Sequence, residues 1–342
     1  MQHTTIALDA MGGDHGPSVV VPAALAALQK NSHIKLILVG EQDVLQAELR
    51  KHNAHTTENL VIRHTSQIVT MDEEPGQALR YKKDSSMRVA INLVKEGIAS
   101  ACVCAGNTGA LMATARFVLK TIPGIDRPAI SALLPTKIPH KYVRVLDLGA
   151  NVDSSAEHLF QFAIMGSILA STKGSHDKPS VALLNIGAED IKGNEQVKQV
   201  AKLLLETDFI NYVGYVEGDG IFSGNVDVIV CDGFVGNVAL KTTEGLAKLI
   251  KGYIKDAFQQ DFPSKLMGFL AMPVLRRLAK RLDPSHYNGA SLVGLQGIVV
   301  KSHGGANVAA FTNAINEALL EISKDVPKHI SERMQSLLQN RT

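Results

Sequence analysis

The sequence predicts an α/β protein built on a mainly parallel sheet with helices on both faces. Three observations carry this. Short β-branched apolar runs recur along the chain, the stretches between most of them have helical periodicity, and polar glycine-containing motifs follow the runs repeatedly.

The first run, TTIAL at 4–8, feeds the loop DAMGGDHGP at 9–17, which holds three glycines, Asp9, Asp14 and His15. Gly12 and Gly13 permit close approach of backbone N–H groups to an anion, and Pro17 pre-sets the first turn of the helix SVVVPAALAAL. Turning a corner requires no titratable group, so this loop is a candidate site. Further strands are expected at 34–40, 59–65, 100–106, 129–136, 143–149, 180–187 and 227–233. Their exits carry AGNTGA (with Asn107 and Thr108), LGANVD (with Asn151 and Asp153), NIGAEDIKGNE (with Lys192) and CDGFVGNVALK (with Asp232 and Asn237). Ligands on such sheets bind beyond the carboxyl ends of strands, so these loops are expected to share one polar cleft.

The chain is expected to be a single catalytic domain, 1–342, with two lobes meeting near 125–140. The string PGIDRPAISALLPTKIPHKY there carries four prolines and suits an extended crossing. From 234 to about 283 the pattern changes to long helices, read as a projecting hairpin over 245–285. Within it Phe262, Leu266, Phe269, Leu270 and Val274 belong to a bulky apolar stretch, followed by Arg276, Arg277, Lys280 and Arg281. The segment reads equally as an interfacial helix on anionic lipid and as a dimer-interface or core helix with a basic end.

The 342 residues, 45% of them hydrophobic, suffice for a large core. A formal charge of +2, few aromatics and no Trp argue against nucleic acid as a partner. Three cysteines, in apolar contexts and without ligand spacing, predict buried thiols rather than disulfides or a zinc cage. No apolar run reaches about 18 residues and no signal peptide is evident, so a cytoplasmic protein is expected.

The strings IALDAMGGDHGP, MDEEPGQALRYKKDSSMRVA (71–90), AGNTGALMA, LDLGANVD, NIGAEDIKGNE, DGFVGNVALKTTEG and GASLVGLQGIVVKSHGGAN (289–307) resemble, in order, the bacterial phosphate acyltransferases of phospholipid synthesis, the PlsX type. The resemblance implies transfer of a long-chain acyl group from acyl carrier protein to inorganic phosphate, giving acyl phosphate. It implies a homodimer in peripheral contact with the inner face of the membrane, where a glycerol-3-phosphate acyltransferase uses the product. It also implies a three-layer α/β/α Rossmann-like fold similar to those of phosphotransacetylases and isocitrate-type dehydrogenases. No cofactor and no metal are expected.

The residues suit that chemistry. Phosphate is already anionic at neutral pH, so positioning should dominate over general-base catalysis. Lys192, on a flexible stem at a loop-to-helix junction, is the first choice for a cationic contact. Asn237 would donate to the thioester oxygen, and His15 has the chemistry to protonate a leaving thiolate. Asp9, Gly12, Gly13, Asp14, Asn107, Thr108, Asn151, Asp153 and Asp232 are the candidate substrate-binding set, with helix capping the alternative for Asn107, Thr108, Asn151 and Asp153. Arg80, Lys82, Lys83 and Arg88 read either as a solvated face or as a docking patch for an acidic carrier protein. Two enzyme rivals remain open, a phosphotransacetylase using short acyl-CoA and a metal-dependent dehydrogenase whose carboxylates would be Asp9, Asp14, Asp153, Asp232 and Glu189, although no GxGxxG follows a strand. A third alternative is a non-catalytic membrane-attached scaffold.

Overall fold

A computed structural model describes residues 4–171, 178–282, 285 and 288–340, with the backbone alone for 279–282 and 340. The side chains of Lys280 and Arg281, and residues 283 and 284 of the expected hairpin, lie outside the described residues.

Among the described residues eleven strands form one sheet. In chain order the first half runs β1 (Thr4–Asp9), α1 (Pro17–Lys30), β2 (Ile34–Gly40), α2 (Gln42–Lys51), β3 (Leu60–His64), α3 (Pro75–Tyr81), α4 (Ser86–Lys95), β4 (Ala101–Cys104) and α5 (Thr108–Leu119). Then come β5 (Ala129–Pro135), β6 (Tyr142–Leu146), α6 (Ala156–Ser171), β7 (Ser180–Leu184), α7 (Glu195–Leu205), β8 (Asn211–Val216) and β9 (Val228–Val230). The chain continues through α8 (Gly233–Gln259), α9 (Phe262–Leu282), β10 (Ala290–Val293), β11 (Ile298–Lys301), α10 (Val308–Ser323) and α11 (Val326–Asn340). The sheet order is β3-β2-β1-β4-β11-β10-β5-β6-β9-β7-β8.

The eight predicted strands all form. Three others, β8, β10 and β11, carry too few residues or too much glycine around them to stand out: β10 and β11 have four residues each and flank the turn GLQG at 294–297. These short strands change the topology. Strand β10 is antiparallel to β11 and β5, and β5 is antiparallel to β6, whereas every pairing on either side is parallel. The two parallel halves therefore run in opposite senses, and their carboxyl ends open at opposite edges of the sheet. The loops expected to share one polar cleft thus fall into two groups, at the exits of β1 and β4 and at those of β6, β7 and β9. Residues 125–140 hold β5 and the turn into β6, in this antiparallel middle.

Strand alternation sorts the core. Ala7, Ile37, Cys102 and Val299 lie on the side of the sheet covered by α4 and α5, and Val145 and Ile229 continue that cluster toward Ala239 and Leu240 of α8. On the other, Ile6, Leu36 and Val103 pack with Phe311 and Ala318 of α10, and Leu146, Val181 and Val228 pack with Phe162 of α6. A buried polar seam separates those two clusters: Arg144 donates to Ser131 at 3.1 Å and to Glu317 at 3.3 Å, and Ser291 donates to Glu321. Each fully buried Leu or Ile in these clusters contributes roughly 1.5–3 kcal/mol, so the two clusters and the opposite face hold three large stabilising blocks.

Helices α8 and α9 pack mainly on each other beyond the first turns of α8, as a helical pair. Gly268 of α9 sits where a Cβ would lie 2.9 Å from the Phe258 ring, which closes the pair tightly. The outer face leaves Phe262, Leu266, Met267, Phe269, Leu270 and Val274 exposed. Among the described residues no helix is long and apolar enough to cross a membrane.

Candidate active site

The predicted site residues fall into two clusters. The first gathers the exits of β1, β4 and β11. Asp9 ends β1 fully buried; its carboxylate accepts from the Met11 and Gly12 amides at 3.3 and 3.2 Å and from the Cys104 thiol at 2.8 Å. Burial pushes the Asp9 carboxyl up, opposed by hydrogen bonds from Cys104, Ser86 and the two amides, and burial beside that carboxylate holds Cys104 firmly as a thiol. Asp9 thus folds the 9–17 loop and faces no solvent. Gly13 adopts φ +88°, and a Cβ there would meet Ala105 Cβ at 2.9 Å and the Gly304 carbonyl at 3.0 Å. The Asp14 amide donates to that same carbonyl at 3.0 Å, clasping the β1 exit to the β11 exit. The side chains of Asp14 and His15 are exposed.

Asn107 is a cap. Its carbonyl accepts from Ala110 N at 3.0 Å, and its amide donates to the Met71 and Glu73 carbonyls at 2.8 and 2.9 Å. Every strong hydrogen-bonding group of that side chain faces protein, which leaves Thr108, exposed in the first turn, and the helix end itself to meet a ligand. Helices α1, α5 and α10 all begin at this edge.

The β11 exit, outside the set of residues expected from sequence, completes the cluster. Lys301 is 8% exposed; its ammonium donates to the Ala105 carbonyl at 3.2 Å and to that of Ser302. Burial lowers its pKa, while Cys104, Asp9 and Asp14 favour the charged form. His303 Nδ1 accepts from Gly305 N at 3.0 Å, and Asn288 ties His303 N to the Ser302 hydroxyl. The signal was available: KSHGG is a polar glycine motif after the apolar run IVV, the same pattern that marked the other exits.

The second cluster gathers the exits of β6, β7 and β9 at the other edge. Asp147, also unassigned from sequence, is buried and accepts from the amides of Ile130, Ala150 and Asn151 and from the Asn151 side chain, all between 2.8 and 3.0 Å. Asn151 also donates to the Pro128 carbonyl at 2.8 Å, so its amide nitrogen is spent on the scaffold. Asp232 caps α8 through Phe234 N and accepts from Ser154 N, both at 2.9 Å. Gly236 lets α8 pass the β6 exit: a Cβ there would stand 1.9 Å from the Asp147 carbonyl.

On this frame Asn237 is exposed against Gly149, and Asp153 is exposed with its carbonyl held by Arg127. Lys192 is exposed in the β7–α7 loop, where Asn185 grips the carbonyls of Gly187 and Lys192 at 3.1 and 3.3 Å. Gln196 of α7 donates to the Ser154 carbonyl, tying that loop to the rest of the cluster.

Strands β4 and β6 are four places apart in the sheet, roughly 19 Å at about 4.8 Å per strand. What approaches from one cluster to the other is α8: Lys241, about two turns from its start, lies close enough to Lys301 for the like charges to oppose each other. The carboxylates of the dehydrogenase alternative divide between the clusters, Asp9 and Asp14 in one, Asp153 and Asp232 in the other. Among the described residues no group of three or more His, Cys, Asp or Glu is placed to hold a metal ion.

A family model described as "Fatty acid synthesis protein" matches residues 4–329. A phosphate acyltransferase of Legionella pneumophila (strain Paris) is 58% identical over 338 residues, 99% of this chain and 98% of that protein. One from Alkalilimnicola ehrlichii is 59% identical over 337 residues, covering 98% of each. The chain belongs to the phosphate acyltransferase family. It is an enzyme of that family, and the resemblance carried by its strand-exit motifs holds over nearly its whole length. A phosphotransacetylase from Streptococcus pyogenes shares the fold, with a TM-score of 0.63 over 94% of each chain at 17% identity. The EutD phosphotransacetylase of Staphylococcus aureus follows at 0.58, also 17% identical, over 93% of this chain and 94% of that one.

Proposed function

We propose that this enzyme transfers a long-chain fatty acyl group from acyl carrier protein to inorganic phosphate, releasing the carrier thiol and an acyl phosphate that feeds phospholipid synthesis. The observation that carries the phosphate half is the first cluster: the starts of α1, α5 and α10 and the buried Lys301 ammonium surround the interlocked Gly12–Asp14 and His303–Gly305 turns. Helix starts and a buried cation favour an anion, and backbone amides of such turns can bind it without a dedicated base. The reaction requires the two clusters to close on the bound substrates, with α8 spanning them, so that Lys192 and Asn237, both exposed on the second frame, supply the polar donors for the thioester oxygen.

In the reaction a phosphate oxygen attacks the thioester carbonyl, and negative charge builds on the carbonyl oxygen. Asn237 would donate to that oxygen and Lys192 would offset its charge. Collapse of the intermediate breaks the C–S bond, and the thiolate leaves with a proton from a nearby donor, for which His15 is the candidate. Asp9, Asn151 and Asp232 act by shaping the loops.

The apolar hairpin face favours a lipid-linked substrate and peripheral contact with anionic lipid, close to the glycerol-3-phosphate acyltransferase that would consume the product; a homodimer joined near the same helices is part of this reading. The test mixes purified enzyme, phosphate and long-chain acyl carrier protein and traps acyl phosphate as the hydroxamate with hydroxylamine. Phosphate-dependent hydroxamate is expected, far faster than with short acyl-CoA. Preference for the short acyl-CoA would install the phosphotransacetylase alternative, and no product from either donor would leave a scaffold.

A further inference from the structure

The surface at the far end of α5 carries an arrangement that the reaction chemistry does not use. Phe117 is 53% exposed, and two cations stack on its ring: Arg88 of α4 at 5.2 Å and Lys120 at 4.8 Å from the centroid. Arg116 is exposed beside them. Among the described residues no carboxylate forms an ion pair with Arg88, Arg116 or Lys120.

Lys120 is also strained. It closes α5 at φ +63°, ψ +166°, a region open to little but glycine, and is held there by its N–H on the Arg116 carbonyl and its own carbonyl on Gln296 N. Glycine would adopt this backbone freely. What lysine adds at that cost is its ammonium, and the ammonium lies on Phe117.

We propose that Arg88, Phe117 and Lys120 form the docking surface for the acidic carrier protein that bears the acyl thioester. This deepens the donor assignment made above and rests on it. The exposed part of the Phe117 ring offers an apolar anchor, and the cations stacked on it, free of ion pairs among the described residues, match carboxylates on the partner. Helix α5 joins this patch to the first cluster: Phe117 lies ten residues from the Asn107 cap, about 15 Å along the axis, so a tethered thioester could reach the site while the carrier stays docked. Of the cations expected to dock the carrier, Arg88 belongs to this patch, whereas Lys82 lies 3.9 Å from Glu73.

The informative variant is Lys120→Gly, because it removes the charge and relieves the backbone. Its melting temperature should equal or exceed the parent's. The KM for long-chain acyl carrier protein should rise about three- to tenfold with kcat unchanged, inhibition by the unacylated carrier should weaken in step, and the fall of kcat/KM with salt should be shallower. Turnover of an untethered acyl-pantetheine should stay at the parental value. Phe117→Ala should give the same split. If the parent uses the carrier-borne substrate but both variants keep its KM and salt slope, the docking assignment is wrong. It is equally wrong if the variants lose binding to phosphatidylglycerol vesicles and keep carrier affinity. A parent that never turns over carrier-borne thioester would instead overturn the donor assignment.

Discussion

Two kinds of polar residue occupy the strand exits, and burial separates them. Asp9, Asn151 and Asp147 are buried and hydrogen-bonded to the scaffold, so their work is to fold loops. Lys192 and Asn237 are exposed on frames that other residues hold. Replacing either exposed residue by alanine is therefore expected to leave the melting temperature unchanged and to lower kcat, by about 10²–10³ for Asn237→Ala if it donates to the developing oxyanion. Steady-state rates with acyl carrier protein check this; near-parental kcat in both variants would remove them from the site. Asn107→Ala should behave in the opposite way. Losing a helix cap and two hydrogen bonds to the 71–73 loop should cost about 2–4 kcal/mol in urea unfolding.

Elements meet in this protein through a few close approaches and clamps. The start of α8 lies against the β6 exit with no room for a methyl group at Gly236, so Gly236→Ala should destabilise the fold by about 1–3 kcal/mol or more and lower activity by displacing Asn237, measurable by calorimetry and turnover together. Asp227, just ahead of β9, clamps the start of β7 through Ser180 N and Oγ at 2.9 and 2.7 Å and pairs with Lys141 at 3.4 Å. Partial burial pushes its carboxyl up, but the Ser180 hydrogen bonds and the Lys141 charge outweigh this and hold it below the usual value of 3.8. A depressed folded pKa means the stabilisation is present above the unfolded value and is lost as pH falls through it toward the folded one. Urea midpoints of the parent should thus drop more steeply below pH 4 than those of Asp227→Asn; equal slopes would show that the clamp does not depend on charge.

At the scale of the molecule, the opposed halves of the sheet set two polar clusters at two edges, and α8 runs from one toward the other. The same helix begins beside Asn237 and continues to pack on α9, so the second cluster and the exposed apolar face of α9 are joined through α8. Replacing Phe269 and Leu270 by serine should weaken flotation with anionic liposomes while turnover of a soluble thioester is kept. Unchanged liposome binding would reassign that face to the dimer partner.

The sequence by itself determined the α/β class, eight of the strands and the glycine-rich exits, because each is written in local periodicity or turn chemistry over a handful of neighbouring residues. Phosphate-acyltransferase membership was equally legible, since its motifs are contiguous. Only the tertiary structure decided that the halves of the sheet run oppositely, because that sense depends on β10 and β11, four-residue strands that join the halves by pairing with β5 and β4, distant in sequence. It likewise decided that Asp9 and Asn107 face inward, that Lys301 lies beneath the first cluster and that Phe117 is flanked by cations. Burial and partnership are properties of contacts between remote residues, and no local pattern encodes them.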